Sequence, residues 1–167
     1  MVSISLKVTI PDTKFAKKKW ADEISRTQRQ TSVPRLKKLF QKTVFGWSKK
    51  PDFGWSQTRT GDEISLTMYP TGEHAGIWNL VNAGSPRHPI PARRGGLLSF
   101  RPGYRAATKP GSIQSQRAYR SGKTVGAKII PDHPGFPARD FITLISQEYN
   151  NPFLDDMQDA INKVAKS

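Results

Sequence analysis

Apolar and polar positions alternate from the start of the chain. Val2, Ile4, Leu6, Val8 and Ile10 are apolar, and Ser3, Ser5, Lys7 and Thr9 between them are polar. A period of two predicts a half-buried strand, which Pro11 stops. The period then lengthens: Ala16, Trp20, Ile24 and Thr27 fall on one helical stripe with Lys17, Lys18 and Lys19 crowded around it. Asp12 or Thr13 supplies an oxygen able to cap that helix, by accepting from the free N–H groups of its first turn. A second helix is predicted from Ser32-Val33-Pro34, a capping serine followed by a proline where its missing N–H costs nothing. Its stripe is Val33, Leu36, Phe40, Val44 and Trp47, stepping by three and four. Arg35, Lys38, Lys42 and Lys49 share a face away from that stripe, and Gly46 or Lys50-Pro51 ends the helix.

Beyond it, Phe53 to Arg59 leads through Thr60-Gly61-Asp62 into Ile64, Leu66 and Met68, which alternate with Ser65, Thr67 and Tyr69. This reads as a β-hairpin around a glycine-containing loop. Ile77 to Val81 is a short apolar run, one helical turn or a brief strand, and the pattern leaves both open. Gly84 to Gly111 is dense in Gly and Pro, with strand-like pieces at Leu97 to Phe100 and Tyr104 to Thr108. Residues 109–123 have no periodic apolar pattern and predict a long, exposed basic loop that a partner would order. Thr124 to Ile130 is expected to close the sheet, and Pro131 to Pro137 to form a rigid connector.

A C-terminal helical region follows, with Phe141, Leu144, Ile145, Glu148 and Tyr149 in helical spacing. Asn150-Asn151-Pro152 predicts an interruption, after which Asn151 caps a restart bearing Phe153, Met157, Ala160, Ile161 and Val164. Asp155 and Asp156 would then lie in its first turn, where the helix dipole favours negative charge. The expected fold is α+β: a small, mostly antiparallel sheet packed with N-terminal helices and a C-terminal helix, residues 1–167 forming one domain.

Cysteine is absent, which removes disulfides, thiol catalysis and thiolate metal sites. No apolar run is long enough for a transmembrane helix, and the N-terminus lacks the pattern of a secretory signal. A soluble protein made in a cytoplasm is expected. Charge changes the picture more. The net charge is +14, with a local +10 in residues 1–50, +3 in 51–110, +4 in 111–139 and −3 in 140–167. Such asymmetry suits a polyanion partner, or head-to-tail contacts between unlike faces of neighbouring copies. A merely well-solvated surface produces the same composition.

Patterns for chemistry are sparse. His74, His88 and His133, with Asp132 and Asp140, contain the donor types for a divalent metal, but no pair has the spacing of a zinc motif. Ser85 stands three residues before His88, in a turn-like segment and outside any nucleophile elbow. The Gly-rich stretches match neither a P-loop nor a dinucleotide fingerprint. A metal-dependent hydrolase or nuclease built on the histidines is therefore the weakest reading, and no cofactor is expected. Basic residues interleaved with aromatics at Lys17–Trp20, Phe45–Lys50 and Arg101–Arg105, and in the loop carrying Arg117, Tyr119, Arg120 and Lys123, suit phosphate contact and base stacking. Arg35, Lys38, Lys42, Arg117, Arg120 and Lys123 are the candidates for DNA or subunit contact. With no recognition motif, such binding would be independent of sequence.

Two segments carry a resemblance. They are Leu80-Val81-Asn82-Ala83-Gly84-Ser85-Pro86-Arg87-His88-Pro89-Ile90-Pro91 and, about forty residues on, His133-Pro134-Gly135-Phe136-Pro137-Ala138-Arg139-Asp140-Phe141. With Leu98-Ser99-Phe100 between them, they resemble the tail-component proteins of tailed bacteriophages, the small neck and tail-completion proteins encoded among head–tail joining genes. The resemblance spans roughly residues 64–166 and rests on Gly84, His88, Pro91, His133, Pro134, Gly135, Arg139 and Phe141, which it implies are architectural. Histidines bonding to backbone and Phe141 plugging the core would fit that role. The basic stretch at 109–123 and the basic N-terminal half depart from the family pattern. The resemblance implies a virion structural protein and not an enzyme. Such a subunit sits in a ring at the head-proximal end of the tail or in the neck, after assembly in the host cytoplasm. The implied partners are copies of itself, the tail tube and head–tail connector proteins, with non-specific contact to packaged DNA and no membrane. A stand-alone, sequence-independent nucleic-acid-binding module is the alternative.

Overall fold

A computed structural model describes residues 2–10, 17–91, 98–100, 103–116, 119–127 and 129–166. The first strand and the hairpin form as their alternation requires. Ile4–Thr9 (β1), Asp52–Thr60 (β2) and Glu63–Thr71 (β3) make an antiparallel sheet in the order β1-β3-β2. Ile4, Leu6 and Val8 stand opposite Met68, Leu66 and Ile64, and Phe53, Trp55, Gln57 and Arg59 opposite Pro70, Met68, Leu66 and Ile64. Residues directly opposite share a face, so this face is the inward one, with Ile64, Leu66, Met68 and Pro70 buried along its centre.

The two predicted N-terminal helices are one. Lys17–Thr27 (α1) passes through a π-helical turn, Gln28–Ser32, straight into Val33–Thr43 (α2). Ser32 has right-handed helical dihedrals and caps nothing. Pro34 accounts for the wide turn. Inside an ordinary α-helix its ring would press on the carbonyl of Gln30 and its N–H would be missing from the ladder. In the π-helical turn the Val33 N–H reaches back to the Gln28 carbonyl, and the extra residue takes up the misfit. Of the expected stripes, Ile24 and Thr27, then Val33, Leu36, Phe40 and, just past the helix, Val44 are buried, Trp20 and Trp47 are partly buried, and Ala21 and Leu39 join the core. Asp12, Thr13 and Ala16 lie outside the described residues.

The ambiguous run at Ile77–Val81 is helical, within Ala75–Ala83 (α3). Its Trp78 is completely buried, stacking on Phe40, meeting Phe53 edge-to-face and packing against a tilted Phe141 at ring-centroid distances of 5.5, 6.0 and 5.6 Å. The Trp78 indole N–H donates to the Thr43 hydroxyl at 2.9 Å, and that hydroxyl donates to the Phe40 carbonyl. This aromatic knot ties α2, β2 and α3 to the start of the last helix.

The middle of the chain folds as a nested hairpin. His88–Pro91 (β4), Leu98–Phe100 (β5) and Gly103–Arg105 (β6) pair antiparallel with Ile129–His133 (β9), Val125–Ala127 (β8) and Tyr119–Ser121 (β7) respectively. Thr124 to Ile130 therefore does not close the main sheet; it is divided between β8 and β9, which pair with β5 and β4. The basic loop at 109–123 is also more anchored than its composition predicts. Ser115 is buried, its N–H and hydroxyl both reach the Lys42 carbonyl, and its Oγ accepts from the Gly46 N–H at 2.8 Å. Ile113 packs against the core.

The predicted break at Asn150-Asn151-Pro152 is absent. Phe141–Ala165 (α4) is one helix with Pro152 inside it. A stripe at steps of four, Phe141, Ile145, Tyr149, Phe153 and Met157, runs unbroken past the proline and is buried throughout. Burial of that stripe outweighs one missing hydrogen bond. No helix among the described residues is long and apolar enough to cross a membrane.

Candidate functional site

The two segments singled out in the sequence meet in one junction between the end of α3 and the start of α4. Ser85 and Phe136 exchange backbone hydrogen bonds, Ser85 N–H to the Phe136 carbonyl at 2.9 Å and Phe136 N–H to the Ser85 carbonyl at 3.1 Å. The last carbonyls of α3 are then capped from across the junction: Arg139 N–H donates to Val81 O and Asp140 N–H to Asn82 O. Asn82 returns the favour, its side-chain oxygen accepting the Ile142 N–H at 3.2 Å. Asp140 itself has φ 53° and forms no side-chain cap to the α4 backbone. Each helix end thus satisfies groups the other leaves orphaned.

Two glycines make the approach possible. Gly84 has φ +76°, and a Cβ there would lie 2.5 Å from the Ala138 nitrogen. Gly135 has φ +72°, and its Cβ would lie 2.1 Å from the Ser85 carbonyl oxygen. Neither position has room for a side chain, whatever the backbone strain.

His88 and His133 are opposite one another across β4 and β9, ring centroids 5.1 Å apart. Both bond to local backbone. His88 Nδ1 lies 2.7 Å from the Pro86 carbonyl, which only a protonated nitrogen can satisfy, and His133 Nδ1 accepts the Gly135 N–H at 3.1 Å. Ser85 Oγ is 3.2 Å from the same His88 Nδ1. Because that nitrogen donates to Pro86, it has no lone pair to take the serine proton, so the contact does not build a nucleophile–base pair. Among the described residues no three His, Asp or Glu side chains converge to hold a metal ion. Arg139 is buried and donates from Nε to the Thr108 hydroxyl at 3.2 Å, pinning the inner end of the nested hairpin. Phe141 is fully buried in the aromatic knot. Pro134 is exposed beside His133, and Pro91 ends β4 opposite Ile129.

The basic candidates separate. Arg35 donates to Asp156, and Lys42 pairs with Glu148 at 3.1 Å, so both are engaged by α4 of the same chain. Lys38 and Lys123 are exposed. Arg117 and the side chain of Arg120 lie outside the described residues. Asp156, expected near an exposed helix start, is buried in mid-helix, where it accepts from Arg35, from the Ser32 hydroxyl at 3.3 Å and from the Tyr149 hydroxyl at 3.0 Å. Sequence reading missed Asp156 and Asn82. The signal for Asp156 was its place three residues after Phe153, on the buried stripe; for Asn82, its place at the end of a short helix just before glycine.

Comparisons of the chain with protein-family models, with curated proteins and with solved structures found no match.

Proposed function

We propose that the chain is a virion structural protein, a subunit of a ring at the head-proximal end of a phage tail or in the neck, where it completes the tail and joins it to the capsid. The observation that carries this reading is the junction. The motif residues behind the resemblance gather in three dimensions, and their chemistry is architectural: glycines without room for a side chain, histidines bonded to backbone, and helix ends capping one another. Such a junction holds a nested hairpin at a set angle to a helical scaffold. A ring subunit needs that stiffness, because small errors of angle accumulate around a closed symmetry.

The charge asymmetry supports the same reading in altered form. Part of it is balanced within the chain, by Arg35 with Asp156, Lys42 with Glu148, and Lys163 with Glu23. What remains unlike between faces is the exposed lysines of α2, such as Lys37 and Lys38, and the exposed Asp155 and Asp159 of α4. Heterologous contact between neighbouring copies would bring such faces together. The test is deletion of the gene from the phage that encodes it, followed by electron microscopy of the lysate. Full heads and separate, unjoined tails are expected; infectious, fully joined particles would refute the reading.

A further inference from the structure

The inward face of edge strand β2 changes character along its length. Phe53 is buried in the aromatic knot, whereas Gln57 and Arg59, on the same face, lie beneath the stretch where α1 enters the π-helical turn. Between strand and helix is an open cleft of about 550 Å³. Arg26 and Arg29 line its helix wall and Arg59 its strand wall, with Ser25, Gln57 and Asp22 between them.

Arg26 is neutralised by Glu23, 2.6 Å away. Among the described residues, neither Arg29 nor Arg59 is paired with a carboxylate. Arg29 is nevertheless held in place. Its Nε donates to Gln57 Oε1 at 2.7 Å, and Gln57 is fixed in turn by donating to Gln28 Oε1 at 2.6 Å and to the Ser25 carbonyl at 3.3 Å. Arg59 uses its Nε on the Gly61 carbonyl at 3.4 Å. Both residues therefore keep the two terminal nitrogens of the guanidinium, the fork that grips an oxyanion. The two forks stand on opposite walls of a cleft whose single acid is Asp22. A planar carboxylate accepts mainly in its own plane. A tetrahedral phosphate group offers oxygens to both walls at once. The cleft is open to solvent beside the edge strand β2, and the +14 net charge of the chain favours encounter with a polyanion.

We propose that this cleft binds the phosphodiester backbone of a nucleic-acid strand, with Arg29 and Arg59 as the contact residues. The site differs from the basic residues singled out in the sequence, and it does not depend on the ring reading. The test is fluorescence anisotropy of the intact chain with a labelled duplex of about 20 base pairs, between about 50 and 200 mM salt. The variant R29Q/R59Q is compared with K37Q/K166Q, which removes the same charge from exposed positions that do not line the cleft. The cleft variant is expected to lose about tenfold in affinity and about two in the slope of log affinity against log salt, with the control changing by less than about threefold. Equal losses in the two variants, or no binding by the intact chain, would overturn the proposal. Should R29Q/R59Q melt below the intact chain, R59Q alone carries the test against K37Q alone, with an expected loss of about threefold for R59Q and none for K37Q. Inorganic phosphate at constant ionic strength should displace the duplex no better than chloride does. Displacement at micromolar phosphate would reassign the cleft to a small phosphorylated ligand and overturn the strand reading.

Discussion

Gly84 and Gly135 differ from Gly61, Gly72, Gly76 and Gly111 in having no space for a side chain. Gly61, in the β2–β3 turn, shares their positive φ but faces nothing within 4 Å. That contrast separates strain from collision. Gly61→Ala should cost about 1 kcal/mol, the left-handed penalty alone. Gly135→Ala should cost about 3–5 kcal/mol, because the Ser85 carbonyl must also move. Thermal denaturation of the two variants checks this, and equal losses would mean the junction yields easily. The cluster at Asp156 gives a second test. Replacing it by Ala strands the buried Ser32 and Tyr149 hydroxyls and should cost about 2–4 kcal/mol. Burial is the main cause that pushes the Tyr149 phenol well above its ordinary 10.0, and the neighbouring Asp156 carboxylate pushes it the same way. The folded pKa lies above the unfolded one, so stability is intact below about pH 10 and falls as the unfolded phenol ionises above it. Spectrophotometric titration should find a tyrosine that ionises only with unfolding, and Tyr149→Phe should abolish that component.

At the scale of elements, the strands and stripes were legible and the continuity of the helices was not. Period two at Val2–Ile10 and Ile64–Met68, and steps of three and four from Val33 to Val44, reflect burial on one face, which sequence carries directly. Pro34 and Pro152 misled because proline locally favours the first turn of a helix and disfavours its interior, while the stripe through each belongs to tertiary packing. The Gly- and Pro-rich middle of the chain was hard to read for a related reason. Its strands are three to five residues long and pair in nested order, so no periodicity has room to develop. The junction was half legible: its glycines and histidines stood out, but the mutual capping by Asn82 and Asp140 depends on contacts about sixty residues apart. Pro152 makes a prediction at this scale. Pro152→Ala restores an N–H for the Glu148 carbonyl and should stabilise the chain by about 1–3 kcal/mol. Loss of stability in a denaturant titration would show instead that the packing of α4 requires the irregularity.

Over the whole molecule, unlike charges meet where α4 lies along α1 and α2. Glu23 accepts from Arg26 and faces Lys163 at 3.7 Å. The hydrogen bond from Arg26 holds its carboxyl below the ordinary 4.5, against the opposing effect of burial. A lowered folded pKa means that this contribution is present above about pH 4.5 and is lost as pH falls through the folded value. Glu23→Gln should therefore destabilise the chain at neutral pH and cost progressively less on acidification, as melting temperatures across that range would show. With this balance made internally, the surplus positive charge of the N-terminal half remains available to partners. We propose that those partners include copies of the same chain in a virion ring. The most direct measurement is quantitative mass spectrometry of purified particles from the source that encodes the chain, counting its copies per particle. A count on the order of six or twelve is expected, as one closed ring requires. Absence from the particles would contradict it.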